Sequence, residues 1–223
     1  MRSSNPPPQI PLPLPARELY TREDYMIWDG NRDAAGWIGR WPDWPGPAII
    51  LSAPKAGGKT HLAQIWKTRA QAESIPPLQA SMFTANRPLL VDDAHLWIGQ
   101  RSAEETLFHL YNQIKEQGTT LLLTMEGTPQ EREFQLPDLA SRLRAAPVIT
   151  IEPPDEDVLA AMLVKLFSDR QLRVPAEVIH YILPRIERTY EAVRTLVESA
   201  DRAALSQQRA ITIPLIGRLL HET

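Results

Sequence analysis

The chain has 223 residues and a net charge of -3, from 24 basic and 27 acidic residues, and it contains no cysteine. This length suits one α/β domain with a small helical unit, and the charge balance argues against a dedicated duplex-DNA binder. The lack of cysteine excludes disulfides and thiolate metal sites. Because no apolar run approaches the ~18 residues that span a bilayer, and no signal sequence follows Met1, we expect a cytoplasmic protein without membrane partners.

Residues 1–19 form a proline-rich unit of their own. Six prolines lie in the first fifteen positions, and this density opposes helix and favours an extended tail. A mixed segment with four tryptophans follows: Trp28, Trp37, Trp41 and Trp44. Tryptophans can stack on single-stranded nucleic acid. Acidic residues outnumber arginines in this segment, so packing against the protein is the favoured interpretation.

Short apolar runs bounded by proline and glycine predict buried parallel strands, and helices between them predict crossovers. The predicted strands are 48–51, 88–91, 120–124 and 147–151, with helices at 61–73 and 104–117. After Pro153 and Pro154 only helices are predicted, at 155–170, 175–183, 190–206 and 213–221. We therefore expect an α/β fold, with a parallel sheet sandwiched by helices at 20–154 and a small helical lid at 155–223.

A phosphate loop is predicted between the first strand and its helix, where residues 53–60 read Ala-Pro-Lys-Ala-Gly-Gly-Lys-Thr. In this context backbone N–H groups cradle phosphates, Lys59 reaches the β and γ phosphates, and Thr60 binds Mg²⁺. The other predicted nucleotide-binding residues are Ala56, Gly57, Gly58 and His61. Ala53 replaces the usual first glycine, which a negative φ would tolerate. An ordinary glycine-rich turn is the alternative interpretation.

Asp92 and Asp93 come directly after a predicted strand. A carboxylate at this place, here Asp92, can hold the Mg²⁺, while its neighbour Asp93 orients or deprotonates an attacking water. One aspartate after a strand is usually a solvated turn. A pair downstream of a phosphate loop favours a site for ADP or ATP with Mg²⁺.

Further segments occur in the order found in one family. Residues 89–96 resemble the Walker B segment, 138–143 the box VII segment and 192–196 the sensor II segment of the AAA+ initiator DnaA and its homologues. Residues 124–129 occupy the sensor I place, with Glu126 where a shorter polar residue is usual. The resemblance implies a P-loop AAA+ sheet with a helical lid, and it implies that 25–31 help to enclose the base.

Both ends of the chain are similar to the Hda branch of this family, the DnaA homologues that switch the initiator off. Residues 201–214 resemble its C-terminal segment, and no origin-reading helix-turn-helix is expected after the lid. Residues 9–14 resemble its sliding-clamp motif. The resemblance implies that the tail docks on the β sliding clamp of DNA polymerase III through Gln9, Ile10, Leu12, Pro13 and Leu14. A proline-rich leader with incidental leucines is the alternative.

The resemblance also implies roles for two arginines. Arg142 is expected to act in trans as an arginine finger that stabilises the transition state for hydrolysis of DnaA-bound ATP. Arg194 is expected to face the nucleotide from the lid, and a salt bridge with Glu191 or Glu198 is its alternative. His95, beside the aspartate pair, is interpreted as a structural histidine rather than a metal ligand.

The resulting expectation is a nucleotide-bound negative regulator of replication initiation. It would dock on the clamp, contact DNA only through the clamp, and stimulate hydrolysis of ATP on DnaA; the resemblance implies ADP as its own ligand. Self-association is left open. One alternative is an ATPase in its own right, similar to DnaA or a clamp loader and using Asp93. Another is an adaptor that loads DnaA on DNA without a finger.

Overall fold

A computed structural model describes residues 25–76, 86–207 and 210–222. In these ranges the strands are β1 (Ala48–Ser52), β2 (Glu73–Ser74), β3 (Leu89–Val91), β4 (Leu121–Met125) and β5 (Val148–Thr150). They form one parallel sheet in the order β2-β3-β4-β1-β5. This parallel sheet, whose strands require crossover connections, confirms the predicted α/β fold class. The predicted clamp motif at 9–14 lies outside the described residues.

The helices agree with the predicted ones to within a few residues and include two that were not predicted, α1 and α4. They are α1 (Asp29–Arg40), α2 (Lys59–Ala70), α3 (Arg101–Gln117), α4 (Pro137–Ala145), α5 (Glu156–Asp169), α6 (Ala176–Ile182), α7 (Tyr190–Gln207) and α8 (Ile213–Glu222). No helix among the described residues is long and apolar enough to cross a membrane.

The helix predicted at 61–73 corresponds to α2, which ends at Ala70, so its predicted end at residue 73 is wrong. Gln71 follows α2 in the left-handed region, with φ 50°, and its N–H donates to the carbonyl oxygens of Lys67 and Thr68. This conformation ends the helix. The chain then turns into β2, where Glu73 pairs with Leu89 of β3.

The start of α1 is fixed by one side chain. Fully buried Asn31 accepts a hydrogen bond from the Trp28 backbone N–H at 2.8 Å and donates to the Met26 carbonyl oxygen at 2.9 Å. Gly30 lies against the end of β5, where a Cβ would come within 3.0 Å of the Glu152 backbone oxygen. Local capping by Asn31 and the close approach of Gly30 to Glu152 thus together fix where this helix begins.

The sheet separates two apolar clusters. Successive β1 side chains point to opposite faces: Ile49 and Leu51 join one cluster, and Ile50 joins the other. The first cluster also contains buried residues from α2 and from α5 to α8. The second is closed by α3 and α4. The C-terminal helices therefore share a continuous core with the sheet.

The tryptophans pack against the protein, as the sequence favoured. Trp44 stacks on fully buried Trp66, with ring centroids 5.4 Å apart. Trp41 meets Trp66 edge-on at 6.4 Å and donates its Nε1–H to the Thr120 hydroxyl at 3.0 Å. These rings therefore pack within the protein and do not form a surface for stacking on nucleic-acid bases.

Candidate functional site

A cavity of about 340 Å³ opens where the phosphate loop meets the first turn of α7. It is lined by most of the predicted site, namely residues 56–61 with Asp93 and Arg194. Lys55, Glu126, Tyr190 and Glu191 complete the lining. A cavity of this size, with several convergent charged groups, suits a small phosphorylated ligand.

The backbone conformation of the phosphate loop explains why alanine is tolerated at its first position, Ala53. Ala53 does not have a positive φ, whereas Ala56 (φ 56°) and Gly58 (φ 87°) lie in the left-handed region. Buried Ala53 fills the space beneath the loop, and a Cβ on Gly57 would come 2.8 Å from the Ala53 Cβ. The same Cβ would lie 3.0 Å from the Pro54 backbone oxygen, so both neighbours favour glycine at Gly57.

Lys59 is held inside the loop. Its Nζ donates to the carbonyl oxygens of Ala53 at 3.0 Å and Pro54 at 2.9 Å, and the residue is only 5% exposed. Burial lowers the pKa of Lys59, and the negative charges of Glu126, Asp93 and Asp92 oppose this shift. The cation is therefore fixed beside the loop amides, where it can meet phosphate oxygens.

Thr60 and Asp92 lie together as a magnesium site requires. The Thr60 hydroxyl donates to Asp92 Oδ2 at 3.3 Å. Hydroxyl and carboxylate oxygens are ligands that Mg²⁺ prefers, and Mg²⁺ is commonly held by few protein groups together with water and phosphate oxygens. The described residues contain no cluster of three or more His, Asp or Glu side chains that could hold a metal ion.

Thr124 organises the aspartate pair, a role that was not predicted. Its buried hydroxyl donates to Asp92 Oδ1 and accepts a hydrogen bond from the Asp93 backbone N–H at 2.9 Å. Asp93 has φ 52°, and its side chain, 48% exposed, faces the cavity. One strand residue thus holds the Asp92 carboxylate and the Asp93 backbone, although in sequence it is simply the polar member of an apolar run.

His95 and Glu126 form the wall beside Asp93. The Glu126 backbone N–H donates to His95 Nδ1 at 3.3 Å, and Arg132 donates to the Glu126 carbonyl oxygen. This hydrogen bond gives His95 a structural contact with the backbone of Glu126. The Glu126 side chain lines the cavity, so the unusual sensor I residue faces the site.

Aromatic rings flank the other side of the cavity. His61 lies edge-on to Tyr25, with centroids 5.1 Å apart, and to Tyr190, with centroids 5.5 Å apart. Burial raises the pKa of the Tyr25 phenol. Tyr25 thus contacts the cavity lining through His61, and the role of 25–31 in enclosing a base stays a prediction.

Arg194 lies both at the cavity and in the salt bridges that the sequence suggested, and its contact with a nucleotide stays a prediction. It lines the cavity, and it also forms salt bridges with Glu191 at 2.7 Å and Glu198 at 3.6 Å. The sequence presented these as alternatives, whereas the first turns of α7 bring the arginine to the cavity and to both carboxylates at once.

Arg142 is not part of the cavity lining and lies on α4. Its guanidinium donates to the Asn112 side-chain oxygen and lies over the rings of Phe108 at 4.5 Å and Tyr111 at 5.3 Å. The three partners belong to α3 and were not predicted as site residues. This position excludes a role in the chain's own cavity without a rearrangement, and action in trans stays a prediction.

Known proteins are similar to this chain both in the C-terminal helical segment and in the fold as a whole. The family described as "Hda, lid domain" matches residues 155–220, beginning where the lid was predicted. Domain III of the replication initiation protein DnaA from Thermotoga maritima superposes with a TM-score of 0.77 at 22% identity, covering 91% of this chain and 96% of that chain.

Two further structures have the same fold. AMPPCP-bound DnaA from Aquifex aeolicus gives a TM-score of 0.72 at 18% identity, covering 85% of this chain and 68% of that chain. The T158V variant of Thermotoga maritima RuvB gives 0.65 at 14% identity, covering 86% of this chain and 67% of that chain. The chain therefore has the fold of DnaA domain III, and residues 155–220 match the Hda lid model.

Proposed function

We propose that this protein binds ADP or ATP and regulates the initiator DnaA by stimulating hydrolysis of DnaA-bound ATP. The observation that carries the proposal is the cavity that joins the phosphate loop to Arg194 on a lid of the Hda family. Of the solved structures with this fold, one DnaA holds AMPPCP, and another holds AMPPCP with single-stranded DNA. The composition of the cavity supports the same class of ligand here.

The nucleotide would be held from both sides. Loop amides and Lys59 bind phosphate oxygens, and Arg194 contacts the ligand from the lid. Thr60 and Asp92 hold Mg²⁺, which neutralises phosphate charge when bound. The bound nucleotide would then fix the lid against the sheet, and ADP is the form implied by the resemblance.

Arg142 is the proposed finger. Asn112 and Phe108 hold its guanidinium in one orientation, so a partner would meet a largely ordered cation rather than a mobile side chain. Placed beside the γ-phosphate of ATP on DnaA, it would stabilise transition-state charge, an effect of about 10³ to 10⁵ in related phosphoryl transfers.

The proline-rich tail would bring the protein to the sliding clamp. Gln9, Ile10, Leu12, Pro13 and Leu14 are proposed to bind the β sliding clamp, with apolar side chains in a groove and the glutamine at its rim. Prolines reduce the entropy lost when such a segment binds. A clamp on DNA would then raise the local concentration of the regulator near DnaA.

The test is an assay of DnaA-bound ATP hydrolysis with the clamp loaded on DNA. Arg142→Ala should reduce stimulation to near background at all protein concentrations, because the transition-state charge is lost. Gln9→Ala should reduce stimulation at low concentration, because docking is lost. Arg32→Ala, which removes an exposed surface arginine, is the control and should retain activity. Normal activity in both Arg142→Ala and Gln9→Ala would refute the proposal.

Asp93 favours a second candidate, an ATPase in its own right, since its carboxylate faces the cavity. Turnover of ATP by the protein alone, lost in Asp93→Asn, would support this candidate. A third candidate, an adaptor that only loads DnaA on DNA, predicts that Arg142→Ala leaves initiator inactivation unchanged. The turnover assay without DnaA and the assay with DnaA and clamp therefore together separate all three functions.

A further inference from the structure

We propose that Glu191 is a specificity-determining residue, which sets the nucleotide affinity of the cavity by competing with phosphate for Arg194. The inference rests on the proposed nucleotide binding and adds to it an internal competitor. It starts from a carboxylate that lines the same cavity as the phosphate loop, where a negative charge opposes an anionic ligand.

Glu191 holds the arginine by both of its oxygens. Arg194 Nη2 donates to Glu191 Oε1 at 2.7 Å, and Arg194 Nε donates to Oε2 at 3.2 Å. This is the two-point geometry with which a guanidinium also binds a phosphate group. A phosphate that takes the same face of Arg194 must therefore displace the carboxylate.

The position of Glu191 strengthens the competition. Thr189 precedes α7, and its hydroxyl accepts a hydrogen bond from the Ala192 N–H at 3.1 Å, so Glu191 lies in the first turn. Negative charge is stabilised there by the unpaired N–H groups and the helix dipole. The carboxylate thus uses the same positive features of the lid that an incoming phosphate would use.

Glu198 provides an internal comparison. It lies about two turns beyond Glu191 along α7, with a carboxylate 3.6 Å from Arg194 and 3.5 Å from Arg170. Unlike Glu191, it is not part of the cavity lining. If Glu191 competes with phosphate at the cavity, neutralising Glu191 must raise the nucleotide affinity, whereas neutralising Glu198 must leave it nearly unchanged.

The experiment is calorimetric titration of the full chain with ADP and with AMPPCP, each with Mg²⁺. Glu191→Gln should tighten ADP binding about fivefold, because a neutral amide competes less well than a carboxylate for the Arg194 guanidinium. The gain should be larger for AMPPCP, which carries more negative charge. Glu198→Gln should stay within about twofold of the wild type, because its charge is more distant and shared with Arg170.

A double-mutant cycle tests the competition itself. In an Arg194→Ala background, Glu191→Gln should give a much smaller gain, because no guanidinium remains to be released. A full gain in that background, an unchanged or weakened affinity in Glu191→Gln, or an equal gain in Glu198→Gln would each overturn the inference. If the wild type binds neither nucleotide, the proposed function itself fails, and that result is distinct from the others.

Discussion

Ala56 has a backbone conformation that favours glycine. Its φ of 56° costs an L-residue about 1–2 kcal/mol. We expect Ala56→Gly to raise the free energy of unfolding by roughly 0.5–1 kcal/mol, because the relief of strain exceeds the entropy that glycine adds to the unfolded chain. Urea denaturation would measure the change. Gly58→Ala, at φ 87°, should shift stability in the opposite direction, and equal effects of the two changes would contradict this explanation.

Thr124 should control metal-dependent binding. In Thr124→Val the hydroxyl that orients Asp92 and Asp93 is absent, so we expect ADP affinity in Mg²⁺ to fall several-fold. Affinity in EDTA should change little, since the loop and Lys59 remain intact. Thr150→Val, at an exposed position of β5, is the matched control. Equal losses with and without Mg²⁺ would show that Thr124 acts only on the fold.

At the scale of elements, Glu104 joins α3 to the segment that begins α4. Its fully buried carboxylate accepts hydrogen bonds from the backbone N–H groups of Gly99 at 2.7 Å, Gln135 at 3.1 Å and Leu136 at 2.6 Å. These bonds compensate for removing the charge from water. The carboxylate thereby fixes the helix on which Arg142 lies.

We expect Glu104→Ala to lower the free energy of unfolding by about 3 kcal/mol, because it leaves buried donors unsatisfied. Chemical denaturation would measure it, and Glu105→Ala is the natural control. Glu105 is exposed and pairs with Arg101 at 2.6 Å, so its loss should cost only about 0.3–0.5 kcal/mol. Similar costs for the two neighbours would mean that the bonds to the α4 segment contribute little.

The elements differ in how far the sequence determines them. β1, β3, β4 and β5 could be predicted because their apolar runs are bounded by turn residues, and the phosphate loop because its residue types are dictated by backbone shape. Helix α1 was missed because its first turn is capped by a buried asparagine, Asn31, and contains a glycine, Gly30, whose close neighbour is the distant Glu152. Two-residue β2 is too short for any period to show.

The residues of the candidate site also differ in how far the sequence predicts them. Lys59, Thr60 and Asp92 follow from local motifs, and the structure brings them together. The partners of Arg142 could not be predicted, because Asn112 lies 30 positions away and meets it only through the packing of α3 on α4. The competition of Glu191 is visible only once the cavity exists.

For the whole molecule, the shared core predicts one unfolding event. Ile49 and Leu51 of β1 belong to the same buried cluster as Leu163 of α5 and Val197 of α7. Helices that bury their apolar faces against the sheet cannot leave it without exposing both surfaces to water. We therefore expect the lid and the sheet to unfold in a single transition in calorimetry.

Ligand binding should then stabilise the entire chain rather than the loop alone. The cavity is lined both by the phosphate loop and by α7, so at one hundred times its Kd, ADP should add about 2.7 kcal/mol to the free energy of unfolding. For a chain of this size, that corresponds to a rise of roughly 5–10 °C in the Tm of the single transition.

Lys59→Ala provides the comparison that connects this rise to the site. Lys59 is the buried cation of the loop, so without it the phosphates lose their fixed charge and the Tm should barely respond to ADP. Differential scanning calorimetry with and without ADP would measure both proteins. Two separate transitions, of which ADP raises only one, would show that sheet and lid are energetically independent. In that case nucleotide bound at the loop could not set the position of α7, and the lid would not report which nucleotide is present.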